Sequence, residues 1–135
     1  MYELTQEEFE DAVEAALDAI PDEFIDELEN VVFTVADEPS PEQLDAVDDA
    51  HAEVMGSEVL GLYEGTPITQ RDSFYGSGEL PDVISIFKGP HERCFGLGEP
   101  DEAALSIREQ VRRTVVHEIG HYFGNDDATL RALGY

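Results

Sequence analysis

The chain has 135 residues, which is enough for one domain with a hydrophobic core, over residues 1–135, and too few for two. Its hydrophobic fraction of 41% is ordinary for a globular chain. Seven basic residues oppose 32 acidic ones, and the resulting net charge of −25 disfavours nucleic acid and anionic membranes as partners. No stretch approaches the roughly 18 apolar residues that cross a membrane, and no basic, apolar leader opens the sequence, so we expect a cytoplasmic protein.

The acidic residues are concentrated in the first half of the chain. Nineteen Asp and Glu residues lie among the first 55, whereas the first basic residue is Arg71. We attribute this excess to solubility or adaptation to salt rather than to a basic partner, although it would also favour basic peptide substrates. Cys94 is the only cysteine, so an internal disulfide is excluded, and we expect its side chain to pack as a small hydrophobe.

Apolar spacing and turn residues predict the elements of the first half. Thr5 and Glu8 form a capping box ahead of apolar residues at helical spacing, which indicates a helix that stops before Pro21. Ser40 and Pro41 are typical of a helix start, so residues 41–54 are predicted to be a helix. Because this segment is acidic and weakly apolar, a mobile connection is the alternative, and His51 within it is expected to be solvated. In chain order we expect a helix over 6–20, a short helix over 22–28, a buried strand over 31–35, and a helix or connection over 41–54.

The second half contains short β-branched runs separated by glycine and proline. These patterns predict a strand over 59–63, a polar loop over 69–81, a strand over 82–87 and an irregular connection over 88–100. A long helix should follow over 101–123, and one short terminal helix has room over 128–135.

The long helix should have a core face and a face that lines a cleft. Five apolar residues recur at every fourth position and should face the core: Ile107, Val111, Val115, Ile119 and Phe123. His117 and His121 lie on the opposite arc, together with Thr114 and Gln110. Gly120 lacks a side chain, which would let a neighbouring element pack closely against this helix.

Residues 117–127, which read HEIGHYFGNDD, carry the strongest chemical signal in the sequence. His117 and His121 lie four positions apart, so on a helix they share one face and can hold one zinc ion through their ring nitrogens. Glu118 projects about 100° around the helix from His117, where its carboxylate is better placed to act as a general base on an attacking water than as a ligand. The pattern predicts a zinc site with a catalytic base.

The third zinc ligand is expected just beyond the helix. Gly124 lets the chain turn, and Asp127 is far enough along to return to the metal with a carboxylate oxygen, which is an accepted zinc ligand. The adjacent Asp126, or a water, is the alternative third ligand. Four side chains are considered as stabilisers of a developing oxyanion, although each has a structural role as its simpler explanation: Tyr75, His91, Arg93 and Tyr122.

Three segments of the sequence resemble the small bacterial zinc-metallopeptidase-like proteins that are called minimal zincins. They are LGLYEGTPIT (60–69), LPDVISIFKGPHER (80–93) and the HExxHxxGxxD motif of residues 117–127. The resemblance implies an α+β fold in which a small mixed β-sheet packs against helices, with the HExxH helix near the C-terminus. It also implies that His117, His121 and Asp127 bind one Zn²⁺ and that Glu118 is the general base.

The same resemblance implies hydrolysis of peptide bonds. It places the strand over 82–87 at the edge of the sheet beside the cleft, where a peptide or protein substrate would add as a further strand. The alternative is a catalytically inactive zincin-like protein with a binding or structural role. Small size and the absence of a methionine turn favour this alternative, since Met1 and Met55 both precede the motif. A metal-dependent endoribonuclease is a third hypothesis, which the net charge of −25 disfavours.

Overall fold

A computed structural model describes residues 2–26, 28, 31–46, 51–65 and 82–123. The helices in these ranges are α1 (Gln6–Asp18), α2 (Asp22–Ile25), α3 (Pro41–Ala46), α4 (Lys88–Phe95) and α5 (Pro100–Tyr122). The strands are β1 (Val31–Ala36), β2 (His51–Met55), β3 (Glu58–Glu64) and β4 (Asp82–Phe87). The predicted loop over 69–81 and the predicted helix over 128–135 both lie wholly outside the described residues.

These strands form one mixed sheet in the order β1-β4-β3-β2. β1 runs parallel to β4, whereas β3 runs antiparallel to both β4 and β2. α5 contacts β2, β3 and β4, while α1 packs on α5. The structure therefore confirms the predicted α+β class, with a small mixed sheet packed against helices.

Strand β4 lies in the interior of the sheet, so the prediction that residues 82–87 form the edge beside the cleft is wrong. Its backbone pairs with β1 on one side and with β3 on the other, which leaves no free row of N–H and C=O groups for a peptide. The physical reason lies in its apolar side chains, because Ile84, Ile86 and Phe87 are completely buried, as suits a central strand. Within the described ranges, the sheet ends at β1 and β2.

Strand β2 occupies a segment that we expected to be a helix or a mobile connection. The predicted helix begins at Pro41 but ends at Ala46, and His51–Met55 then pairs antiparallel with β3. Gly56 and Ser57 connect the two strands, and Gly56 has a φ of 61°, which glycine adopts without strain. A Gly-Ser pair between two short strand-like runs is itself a hairpin signal, so this turn could have been predicted.

Helix α4 replaces the irregular connection that we expected after residue 87. Pro90 lies in the first turn of the helix, where the missing N–H has no intrahelical partner to lose. Gly89 donates its N–H to the carbonyl oxygen of Asp37 at 2.8 Å, and a Cβ at position 89 would lie only 2.9 Å from that oxygen. Glycine and proline here begin a helix rather than interrupt the chain.

The other described elements agree with the sequence apart from their ends. α1 starts at the predicted capping box, in which Thr5 Oγ1 accepts from Glu8 N at 3.1 Å and Glu8 Oε1 accepts from Thr5 N at 2.9 Å. β1 covers the predicted strand, but Val32 and Thr34 are exposed because it is an edge strand. Both helix α1 and helix α5 contribute to the main core, which includes Phe9, Val13, Tyr63, Ile84, Ile86, Ile107, Val111 and Val115. No helix in the described part of the chain is long and apolar enough to cross a membrane.

Candidate metal centre

The second half of α5 is buried around most of its circumference. Every residue from His117 to Tyr122 is buried, as are Thr114 and Val115. The four-residue apolar spacing correctly predicts the core-facing residues up to Ile119, whereas Phe123 is only half-buried. The histidines on the opposite arc are buried as well, and on that arc Thr114 contacts β3 at Gly61 and α4 at His91.

Two histidines and a glutamate come together in this buried half of the helix. His117, Glu118 and His121 are 3%, 0% and 1% exposed. One potential ligand atom from each residue lies within 4.8 Å of the other two. The two imidazole ring centroids are 4.8 Å apart, with an interplanar angle of 79°. Imidazole nitrogens and carboxylate oxygens are the usual zinc ligands besides thiolates, so this set of donors fits zinc.

The position of Glu118 above the sheet depends on a glycine in β3. A Cβ at Gly61 would lie 2.5 Å from Thr114 Cγ2, 3.3 Å from Glu118 Cγ and 3.3 Å from the carbonyl oxygen of Ser85. The first distance is far inside the van der Waals contact of about 3.5–4.0 Å, so α5 can lie this close only because residue 61 lacks a side chain. The close approach expected at Gly120 stays a prediction, whereas the one at Gly61 was not predicted, although a lone glycine inside an apolar strand is a recognised signal for it.

Thr114, which lies one helical turn before Glu118, connects α5 to α4. Its hydroxyl oxygen is 3.0 Å from His91 Nε2, and Gln110 Nε2 donates to the same oxygen at 3.3 Å. His91 Nδ1 lies 2.6 Å from the carbonyl oxygen of Phe87, at the end of β4. His91 and Thr114 are both completely buried. The imidazole, which was considered as an oxyanion stabiliser, therefore makes hydrogen bonds through both of its nitrogens.

Arg93, another candidate oxyanion stabiliser, belongs to a cluster of ion pairs. Its guanidinium binds both carboxylate oxygens of Glu38, with Nη1 at 2.8 Å and Nη2 at 2.6 Å, and its Nε donates to Glu58. The hydrogen bonds from Arg93 hold the pKa of Glu38 below its usual value, and those same bonds raise the pKa of Arg93. This guanidinium therefore joins α4 to β3 and to the segment after β1.

Of the two tyrosines considered as oxyanion stabilisers, the structure describes Tyr122 but not Tyr75. Tyr122, next to His121, is completely buried and packs edge-on against Tyr63, with ring centroids 6.3 Å apart. The hydroxyl of Tyr63 donates to Asp82 Oδ2 at 2.6 Å, so this corner of the core contains a buried carboxylate. Tyr75 lies outside the described residues.

The third ligand cannot be placed within the described ranges, since Asp127 and the alternative Asp126 both lie outside them. The assignment of Asp127 stays a prediction. His51 begins strand β2 instead of lying in a connection. Burial raises the pKa of the Cys94 thiol, which lowers its thiolate fraction and agrees with a packing role rather than a nucleophilic one.

Comparison with known proteins identifies a family. The sequence profile of a family described as "Zincin-like metallopeptidase" matches residues 28–135, which is most of the chain and includes the His117, Glu118 and His121 cluster. No curated protein matches the chain.

Proposed function

Because the chain belongs to the zincin-like metallopeptidase family, we propose that it is a zinc-dependent peptidase that hydrolyses peptide bonds. The buried cluster of His117, Glu118 and His121 on one helix is the observation that carries this proposal. His117 and His121 would hold one zinc ion, with Asp127 as the third ligand and Asp126 or a water as the alternative. Zinc, when bound, supplies Lewis acidity that lowers the pKa of water and polarises the substrate carbonyl.

Glu118 is the general base of the proposed reaction. A carboxylate oxygen of Glu118 takes a proton from the attacking water while the water oxygen bonds to the carbonyl carbon of the peptide. The same carboxylate then gives that proton to the amide nitrogen as the C–N bond breaks, which releases an amine and a carboxylic acid. Because Glu118 is completely buried, these transfers take place away from bulk water, where electrostatic effects are stronger.

The substrate is proposed to be an extended peptide bound at the β2 edge of the sheet. The earlier placement along residues 82–87 fails because β4 is an interior strand, whereas β2 lies at the edge of the sheet formed by the described residues and contacts α5. A peptide that adds to this edge would use its backbone N–H groups. Methylating alternate backbone nitrogens of a substrate should therefore raise KM in an alternating pattern. Equal KM values for all the methylated peptides would exclude binding at a sheet edge.

The role of Glu118 can be tested with a matched pair of variants. Glu118→Gln should lower kcat by about 10²–10⁴-fold, since an amide cannot take up the proton, while the bound zinc stays at one equivalent. Glu109→Gln is the control, because Glu109 lies on the exposed side of the same helix, where it pairs with Arg112 and Arg113. It should retain the wild-type kcat. A Glu118→Gln enzyme that cleaves peptides at the wild-type rate would contradict the mechanism.

The burial of the site supports a second candidate function. With His117, Glu118 and His121 each at most 3% exposed, the described structure offers little open surface for a substrate carbonyl. The alternative is a zincin-like protein in which the metal stabilises the fold and nothing is hydrolysed. Zinc-loaded protein incubated with a diverse peptide library, with products read by mass spectrometry, separates the two. Zinc-dependent stabilisation without any cleavage would favour the structural role.

A further inference from the structure

We infer that His91 and Thr114 are positioning residues for the general base, and that they act by holding α5 at a fixed height and rotation against the sheet. This inference rests on the proposed function, because it concerns the same site. It goes beyond the zinc-binding motif, since neither residue belongs to the buried cluster of His117, Glu118 and His121.

Thr114 contacts two different elements through the two arms of its side chain. The hydroxyl faces α4, where it lies 3.0 Å from His91 Nε2. The methyl group faces β3, where a Cβ at Gly61 would lie 2.5 Å from it. One completely buried side chain therefore sets both the distance of α5 from β3 and its rotation towards α4.

Glu118 is affected directly by this arrangement because it lies one turn after Thr114. Residues i and i+4 of a helix share a face, and Glu118 Cγ approaches the same point of β3, 3.3 Å from a Cβ at Gly61. A general base must lie within about 2.6–3.2 Å of the group whose proton it takes, and a misplacement of about 1 Å can cost roughly 100-fold in rate. A rotation of α5 at Thr114 would carry the carboxylate out of that range.

The imidazole of His91 is held in one tautomer by its surroundings. The carbonyl oxygen of Phe87 can only accept, so Nδ1, at 2.6 Å from it, carries a proton. In this tautomer Nε2 accepts the hydroxyl proton of Thr114, whose oxygen accepts in turn from Gln110 Nε2. The ring is also packed edge-on against Phe9, with centroids 5.5 Å apart. The tautomer is assigned from these acceptors.

Two substitutions at Thr114 separate its two arms. Thr114→Val removes the hydroxyl and keeps a methyl towards Gly61, and it should lower kcat by about 10–100-fold with KM within twofold and zinc still at one equivalent. Thr114→Ser keeps the hydroxyl bond to His91 but removes the methyl that spaces α5 from β3, so kcat should fall by less than about tenfold, and by less than in Thr114→Val. Thr34→Val is the matched control, because Thr34 lies in β1 and its hydroxyl bonds to Ser85 of β4 rather than to α5. It should leave kcat unchanged.

A measurement without turnover keeps the inference independent of activity. In wild-type protein, ¹⁵N NMR should show His91 protonated on Nδ1 with Nε2 as an acceptor, and the ¹³C shift of the Glu118 carboxyl should change in Thr114→Val but not in Thr34→Val. A His91 protonated on Nε2 alone, an unmoved Glu118 signal in Thr114→Val, or a Thr114→Val enzyme with wild-type kcat would each overturn the inference. If the wild-type protein cleaves no peptide but these NMR shifts are seen, the proposed function fails while the positioning of Glu118 stands.

Discussion

Replacing Gly61 by alanine tests whether the closeness of α5 to the sheet matters. The added Cβ would meet Thr114 Cγ2 at 2.5 Å, about 1 Å inside ordinary contact. The neighbours cannot all yield, because the carbonyl oxygen of Ser85 lies 3.3 Å away in the backbone of β4. We therefore expect α5 to move away from β3 by up to about 1 Å at Thr114, at a cost in the free energy of unfolding of about 1–3 kcal/mol.

Two assays report on this displacement. Denaturant unfolding of Gly61→Ala should show a lower midpoint at an unchanged slope, which is the sign of lost stability without a change in the folded or unfolded compactness. Peptide cleavage should fall by about 100-fold if Glu118 moves by about 1 Å with the helix.

A second substitution shows whether the cause is the clash itself. Thr114→Ser deletes the methyl that the new Cβ would meet. The double variant Gly61→Ala with Thr114→Ser should therefore lose less free energy of unfolding than the two single variants lose together, by about 0.5–3 kcal/mol. The recovery should be partial, because Glu118 Cγ and the Ser85 carbonyl would each remain 3.3 Å from the Cβ. A Gly61→Ala protein with wild-type stability and activity, or exact additivity in the double variant, would refute the reasoning.

Three further predictions follow from the site and the charge. Zinc at a thousandfold excess over its Kd should stabilise the fold by about 4 kcal/mol, and the accompanying rise in Tm should be absent in His117→Asn with His121→Asn, as read by calorimetry with and without a chelator. Raising sodium chloride from about 0.01 M to 1 M should raise Tm, because it shortens the screening length from about 30 Å to 3 Å and weakens the self-repulsion of a chain of net charge −25. Glycerol at equal osmolality is the control for a general solvent effect, and it should raise Tm less than the salt does. Hydrogen bonds from Arg93 lower the pKa of Glu38 from 4.5, so their contribution to stability is present above pH 4.5 and is lost as the pH falls through the lower folded pKa. Glu38→Gln should therefore have a lower free energy of unfolding than the wild type at pH 6, and the two values should converge below that folded pKa. A difference that stays constant with pH would contradict this account.

Local patterns predicted the elements of the chain better than their arrangement. The capping box at Thr5, the strand 82–87 and the long helix could be predicted, because each depends on residues a few positions apart. The place of β4 inside the sheet could not, since it depends on pairing with β1, in which Thr34 bonds to Ser85 from 51 positions away. Helix α4 was missed because the same Gly-Pro pair can end a segment or open the first turn of a helix, and the contact of Gly89 with Asp37, 52 positions away, is not visible in a local pattern.

The candidate site shows the same limit. The spacing of His117, Glu118 and His121 predicted their meeting on one helix, since four residues make about one turn. Their burial was not predicted, because the arc opposite the core-facing residues carries polar side chains and suggested contact with solvent. The bond between His91 and Thr114 joins residues 23 positions apart in two helices, so no local pattern contains it.

The sheet order has a consequence for how the chain folds. β2 and β3 are joined by two residues, and a hairpin of this kind forms within about 1–10 μs, whereas β1 must wait for β4, about 50 residues later. We therefore expect β1 to pair last, so Val35→Ala should speed unfolding and leave the folding rate unchanged. Until then one side of β4 is an open, apolar edge, on which another copy of the chain could pair. The net charge of −25 opposes such an encounter between two copies of the chain.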